Sequence, residues 1–134
     1  MACLEPLIEG FRSRVEPNPD LAPVERLREG LRNFADAISE HPAGYRNLMT
    51  RGIGFSEVRE ALDRARWWRV ERLAEGMGLD PENPAVRVGL RGWTSYVEAA
   101  MLTWLEEGDP DRDALVEMLV RALGATAEGI DAAS

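Results

Sequence analysis

Residues 91–108, RGWTSYVEAAMLTWLEEG, read as a helix whose apolar side chains do not keep to one side. With residues 85–105 on a helical wheel, Arg87, Arg91, Thr94 and Glu98 gather into an arc of about 60°, the only stripe expected to face water. Two apolar faces remain. One is bulky: Val86, Leu90, Trp93, Val97, Met101 and Trp104, each three or four residues from the last. The other is small: Ala85, Val88, Gly92, Ser95, Ala99 and Leu102. A bulky stripe fills a core, whereas a small one lets a second backbone come close. The helix therefore calls for two packing partners.

The next helix, expected over 111–124, repeats the theme. Between Ala114 and Leu123 only Glu117 and Arg121 are polar, so its apolar arc is roughly twice the ~100° that a one-sided surface helix needs. Segments before residue 80 show one apolar face each and offer little to cover the extra surface. The expectation is a symmetric homodimer in which these two helices meet their copies as a four-helix interface. Ala85, Val88, Gly92, Ser95, Ala99 and Leu102 would come from the first helix, and Leu115, Met118, Leu119 and Ala122 from the second. The alternative is a monomeric bundle with both helices at its centre.

Composition sets the frame. A chain of 134 residues makes one domain, here 1–134, able to bury roughly two thirds of its unfolded surface. Proline and glycine divide it into five or six helical segments with no run of alternating β-branched residues, which makes it all-α. The net charge is -8, and every basic residue is arginine, a balance that opposes phosphate backbones and anionic membranes. Cys3 is the single cysteine, so neither an internal disulfide nor a cysteine-based metal cluster can form, which suits a reducing cytoplasm. No stretch is long and apolar enough to span a membrane, and MACLEPLIEG lacks the pattern of an export signal.

Along the chain, residues 2–15 form a short amphipathic stretch closed by EPNPD. Asp20 can cap the next helix, where Val24, Leu27, Leu31, Phe34 and Ile38 recur at helical spacing. His41-Pro42 ends that helix and opens a short one reaching Met49, and RGIGF, residues 51–55, is a loop. Ser56 is placed to cap a long helix running to Met77, DPENP separates it from the two-faced helix, and the tail after Gly124 is expected to fray.

Chemistry-bearing residues are sparse. His41, the only histidine, sits at a helix boundary, Cys3 has no partner that spacing identifies, and none of the nucleotide, metalloprotease or serine-hydrolase motifs occurs. No enzyme, metal or cofactor is expected. One residue is out of place. In the long helix Val58, Ala61, Leu62, Ala65, Trp68 and Leu73 make an apolar arc, with Arg69 in its middle, Arg72 at its edge and Trp67 on the wetter side. A guanidinium so placed snorkels, pairs with a carboxylate on a neighbouring helix, or meets an anionic group of a ligand.

LREGLRNFADAISEHPAGYRNLM (27–49) and GLRGWTSYVEAAMLTWLEEGDPDRDALVEMLVRALGA (89–125) resemble the C-terminal ligand-binding and dimerisation domain of TetR-family transcriptional regulators. The resemblance implies a helical bundle whose last two long helices dimerise. It also implies that residues 1–15 end a linker helix leading from a DNA-binding domain. That helix-turn-helix domain has no counterpart here, so these residues are not expected to select DNA by themselves. By the same resemblance a small-molecule effector of a repressor would bind among the linker, the middle helices and the first dimerisation helix. Its walls would come from Phe34, Ile38, Tyr45, Met49, Phe55, Leu62, Trp93 and Tyr96, with Arg69 as the charged contact. Such walls suit a largely hydrophobic or planar ligand that can carry one acidic group. A second reading is a helical protein-interaction module that dimerises without any ligand.

Overall fold

Three of the helices begin at proline, whose fixed φ suits the first helical turn and whose missing N–H costs nothing there. The computed structural model describes residues 10, 12–51 and 54–134. Its helices are α1 (Pro23–Glu40), α2 (Pro42–Thr50), α3 (Ser56–Met77), α4 (Pro84–Glu107) and α5 (Arg112–Ala133), preceded by a helical turn at residues 12–15. Among the described residues there is no strand, so the fold is all-α. Cys3, the start of the expected linker helix and the middle of the RGIGF loop lie outside the described residues.

The caps depart from expectation at two starts. Asp20 lies ahead of the first helix, which starts after Ala22 with no side-chain cap, and Ser56 falls inside its helix rather than before it. The caps that do form belong to α4 and α5. Asn83 Oδ1 accepts from the N–H groups of Ala85 (2.9 Å) and Val86 (3.4 Å), and Asp111 Oδ1 accepts from that of Ala114 (2.9 Å). At the other ends, Gly78 (φ +70°) and Gly108 (φ +74°) adopt the left-handed conformation that glycine takes without a Cβ penalty. Leu79 N–H then closes α3 by donating to the Ala74 carbonyl at 2.8 Å.

α4 is the central element. It packs against α2, α3 and α5, while α1 packs against α2 and α5. The bulky stripe enters the core as expected: Val86, Leu90, Trp93, Val97 and Met101 are all buried. They meet Leu31, Phe34, Ala35 and Ile38 of α1, Val70 and Ala74 of α3, and Leu115, Val116, Leu119 and Leu123 of α5. The Trp93 indole donates its N–H to the Leu119 carbonyl at 3.0 Å, which supplies the partner a buried indole requires. Where α4 and α5 come closest, a Cβ on Gly89 would lie 2.6 Å from Ile130 Cγ1.

Three expectations are corrected by the packing. The polar stripe of α4 is not its wet side but its α3 side. Thr94 is buried, Glu98 pairs with Arg66 of α3, and Arg87 lies over the Trp67 ring at 4.2 Å. Trp67 accordingly packs against the core, while Trp68 is partly buried and flanked by the guanidinium groups of Arg12 (4.3 Å) and Arg72 (5.3 Å). The tail after Gly124 does not fray: α5 continues through Ala133 because Ile130 is buried against α4, which anchors the last two turns.

Charge ties α1 to α5. Arg28 Nε donates to Glu117 at 2.7 Å, Arg32 lies 3.6 Å from Asp113, and Arg112 donates to Asp36 at 2.9 Å. The hydrogen bond from Arg28 holds Glu117 below the usual carboxylate range. Because the folded value is the lower one, the stability from this pair is complete above the unfolded carboxylate's titration at about pH 4–5. It is lost as pH falls through the folded value. Glu117→Gln should therefore lower the melting temperature modestly at pH 7, and the difference should shrink as the pH is lowered below the unfolded carboxylate's titration, as read by circular dichroism melts across that range.

Candidate functional site

The residues expected to line an effector site divide into two groups. Phe34, Ile38, Tyr45 and Trp93 are brought together inside the core, with Met49 half-buried against them. Leu62 is buried near the start of α3, beside Val58 and Ala61. Phe55 and Tyr96 are not part of this group: they are 65% and 44% exposed. Phe55 precedes α3 as its N-cap residue, and Tyr96 projects from α4 away from the ridge that Trp93 and Val97 form. A wheel cannot place a residue that lies before a helix, and Tyr96 falls between the bulky and small stripes.

The buried group has a polar margin. The Phe34 and Tyr45 rings meet edge to face, 5.9 Å apart at 85°, an arrangement that aligns the positive ring edge with the negative face. Tyr45 donates its hydroxyl to the Glu98 carbonyl at 3.0 Å, tying α2 to α4. Burial, reinforced by the negative charge of Glu98, raises the phenol far above its ordinary range, so Tyr45 remains a donor at any physiological pH. The Glu98 carboxylate accepts from Arg66 Nε at 2.9 Å, and both side chains are largely sequestered.

Arg69 completes the margin. Its guanidinium carbon stands 5.5 Å from the Phe34 ring centroid, and the residue is partly buried. It makes no ion pair or hydrogen bond among the described residues. Burial pushes its pKa down, opposed by Glu98 and Tyr45 and assisted by the like charge of Arg12. The sequence anomaly thus resolves to an aromatic-stacked cation without a partner carboxylate. Arg72, its neighbour at the arc's edge, is exposed and lies 3.7 Å from Glu16.

The second candidate surface is formed by the small stripe. Val88 is 76% exposed, Gly92, Ser95 and Ala99 are exposed, and Ala85 and Leu102 are partly so. A Cβ built on Gly92 would meet nothing within 4 Å. On α5, Met118 is exposed and Ala122 partly so, and the same face continues through Ala125 and Gly129, both exposed. Leu115 and Leu119, expected at this surface, instead point into the chain's own core at 2% and 0% exposure, since α5 turns that side to α1 and α4. Ala125 and Gly129 were missed because the helix was taken to stop near Gly124.

Two clefts open near the far end of these helices. One, of about 300 Å³, lies among Met77, Leu79, Asp80, Asn83, Ile130 and Asp131. The other is an apolar groove of about 410 Å³ lined by Ala85, Val88, Gly89, Thr126 and Gly129, continuous with the small stripe. Neither cleft includes a residue of the Phe34–Tyr45–Arg69 group. No helix among the described residues is long and apolar enough to cross a membrane.

No curated protein and no solved structure matches the chain with significance. Residues 23–126 do match a family of domains described as "Tetracyclin repressor-like, C-terminal domain". That span runs from the first residue of α1 into α5 and includes the Phe34–Tyr45–Arg69 group and the small stripe of α4, while Gly129 lies beyond it. The chain belongs to the tetracyclin repressor-like C-terminal domain family.

Proposed function

We propose that the chain is the effector-sensing and dimerisation domain of a TetR-like transcriptional regulator, acting as a homodimer and responding to a small, largely hydrophobic ligand. The observation that carries the dimer is the unbroken stripe of small and apolar residues left exposed on α4 and α5, from Leu102 and Met118 to Val88 and Gly129. Burying such a surface against its copy gains ~25 cal/mol per Å² of apolar area, and the small residues Gly92, Ser95 and Ala99 let the helices approach closely. Family membership supports the sensing role, and the aromatic group around Arg69 supports its location.

In this reading the ligand acts by favouring one dimer geometry over another, by a few kcal/mol of differential affinity, and so changes the spacing of elements attached at the N-termini. The work is binding and conformational coupling rather than catalysis, within a cytoplasmic regulator that meets DNA through a separate N-terminal domain. A second reading, a dimerisation module that works without an effector, is favoured by one observation. Phe34, Ile38, Tyr45 and Trp93 belong to one buried core cluster, and the two described clefts lie elsewhere.

Gly92 separates dimer from monomer with opposite signs. Gly92→Ala meets open space within the chain and should stabilise the isolated helix by up to about 1 kcal/mol, yet weaken self-association by holding the two backbones apart. Gly92→Glu and Ala99→Glu should give monomers. Light scattering at micromolar concentration reads all three, and a monomeric unmodified chain would refute the dimer.

The four tryptophans report on the sensor. Titration with a library of apolar and aromatic compounds should shift or quench their emission and raise the melting temperature with concentration. Should no compound do either, the effector-free module replaces the sensor.

A further inference from the structure

The guanidinium of Arg69 sits beside the Phe34 ring with burial pushing its pKa down and no ion pair among the described residues to offset the desolvation. Arg28, Arg32, Arg46, Arg66 and Arg112 each have a carboxylate between 2.6 and 3.7 Å away. With 24 acidic residues against 16 basic ones, partners are in surplus. Arg69 nonetheless has none among the described residues. Glu98, the carboxylate whose field reaches it, is already committed to Arg66 at 2.9 Å, and its carbonyl is taken by Tyr45. Arg12 adds a second positive charge nearby. Desolvating a cation without pairing it is costly, and a stacked ring face repays only part of that cost. A stability argument alone would place methionine or leucine here.

Arg69 is also the least enclosed residue of its group. Phe34 and Tyr45 are buried, whereas Arg69 as a residue is only partly so and lies at the edge of the group. The planar fork of an arginine matches a carboxylate through two parallel N–H···O bonds. The surroundings restrict the charge. One guanidinium fork engages one carboxylate, and the core side chains adjoining it, Phe34 and Tyr45, are apolar and aromatic, which suits an organic acid over a bare inorganic anion.

We infer that Arg69 is the anion-recognition residue of the effector site and that the effector is a monocarboxylic acid with an apolar body. The inference rests on the sensor reading above and deepens it. The acid's carboxylate supplies the ion pair that Arg69 lacks, and its body packs against the apolar wall that Phe34 and Tyr45 begin.

The test compares three probes on the full chain and on Arg69→Met and Arg69→Lys: 2-naphthoate, its neutral isostere 2-naphthamide, and inorganic phosphate. Calorimetric titration gives affinities, and thermal melts of each free protein check the fold. The expected result is binding of 2-naphthoate at least about tenfold tighter than 2-naphthamide, with no binding of phosphate. The preference should vanish in Arg69→Met and be reduced in Arg69→Lys, while the free Arg69→Met protein melts at or above the temperature of the parent. Equal affinity for acid and amide in the parent overturns the anion site and leaves the sensor reading standing. Tighter binding of phosphate than of naphthoate overturns the apolar-acid assignment. Failure of all three probes overturns the inference, and the sensor reading is then decided by the compound library. An acid preference that survives Arg69→Met also overturns it, and a lower melting temperature for that variant without any acid preference in the parent marks Arg69 as structural.

Discussion

The ridge of Val86, Leu90, Trp93, Val97 and Met101 is the constraint to which the other helices conform. It occupies one side of α4 and demands cover from α5 and from α1 beyond it, and the Trp93 indole fixes the depth of that packing by reaching the Leu119 carbonyl. Once the ridge is turned inward, the two remaining sides of α4 have no freedom of choice. The polar stripe must find complementary groups on whichever helix lies beside it, and α3 supplies Arg66 and Trp67. The small stripe is then left outside. A single rotational setting of one helix thus decides where the core, the polar margin and the exposed surface lie.

Much of this was legible in the sequence because α1, α4 and α5 carry stripes that differ in size as well as polarity. The alternation of bulky and small residues on α4 identified its buried and exposed sides, and the 3- and 4-residue spacing of Leu27, Leu31, Phe34 and Ile38 identified the inner face of α1. The destination of the polar stripe was not legible. A wheel shows that Glu98 and Arg87 are polar but not that Arg66 and Trp67 lie opposite, so a stripe satisfied by a neighbour looks the same as one satisfied by water. For α3 the difficulty is geometrical: its buried positions shift from Val58, Ala61 and Leu62 at one end to Val70 and Ala74 at the other. A face that turns along the helix cannot be captured by one arc, and this is why Trp67 and Trp68 exchanged roles. Of the residues expected around an effector, helical spacing placed Phe34, Ile38, Tyr45 and Trp93 correctly in the core, whereas it could not show that Phe55 and Tyr96 are exposed.

The two glycines of α4, Gly89 and Gly92, divide their labour. Gly89 serves the inside, where Ile130 occupies the space a Cβ would need, and that contact holds the last turns of α5 on α4. Gly92, three residues on, faces open space. Small residues at helical spacing therefore carry two meanings in the same helix, and only the position of α5 distinguishes them. The extension of α5 to Ala133 follows from the first meaning, and the open surface of α4 from the second.

The ion pairs along α1 and α5 also restrict sliding. Read from Arg28 to Asp36, α1 presents positive, positive, negative. The facing residues of α5, read from Glu117 through Asp113 to Arg112, present negative, negative, positive. The sign reverses part-way along the seam. Apolar side chains such as Leu31 and Leu119 would tolerate a slip of one helical turn, about 5 Å, with modest loss. The charges would not, because moving Asp36 toward Asp113, or Arg32 toward Arg112, sets like against like. Exposed pairs of this kind contribute little to stability individually. Their sequence of signs instead acts as a vernier that admits one longitudinal alignment of α1 on α5, so the seam is specified in position by groups that scarcely add to its strength.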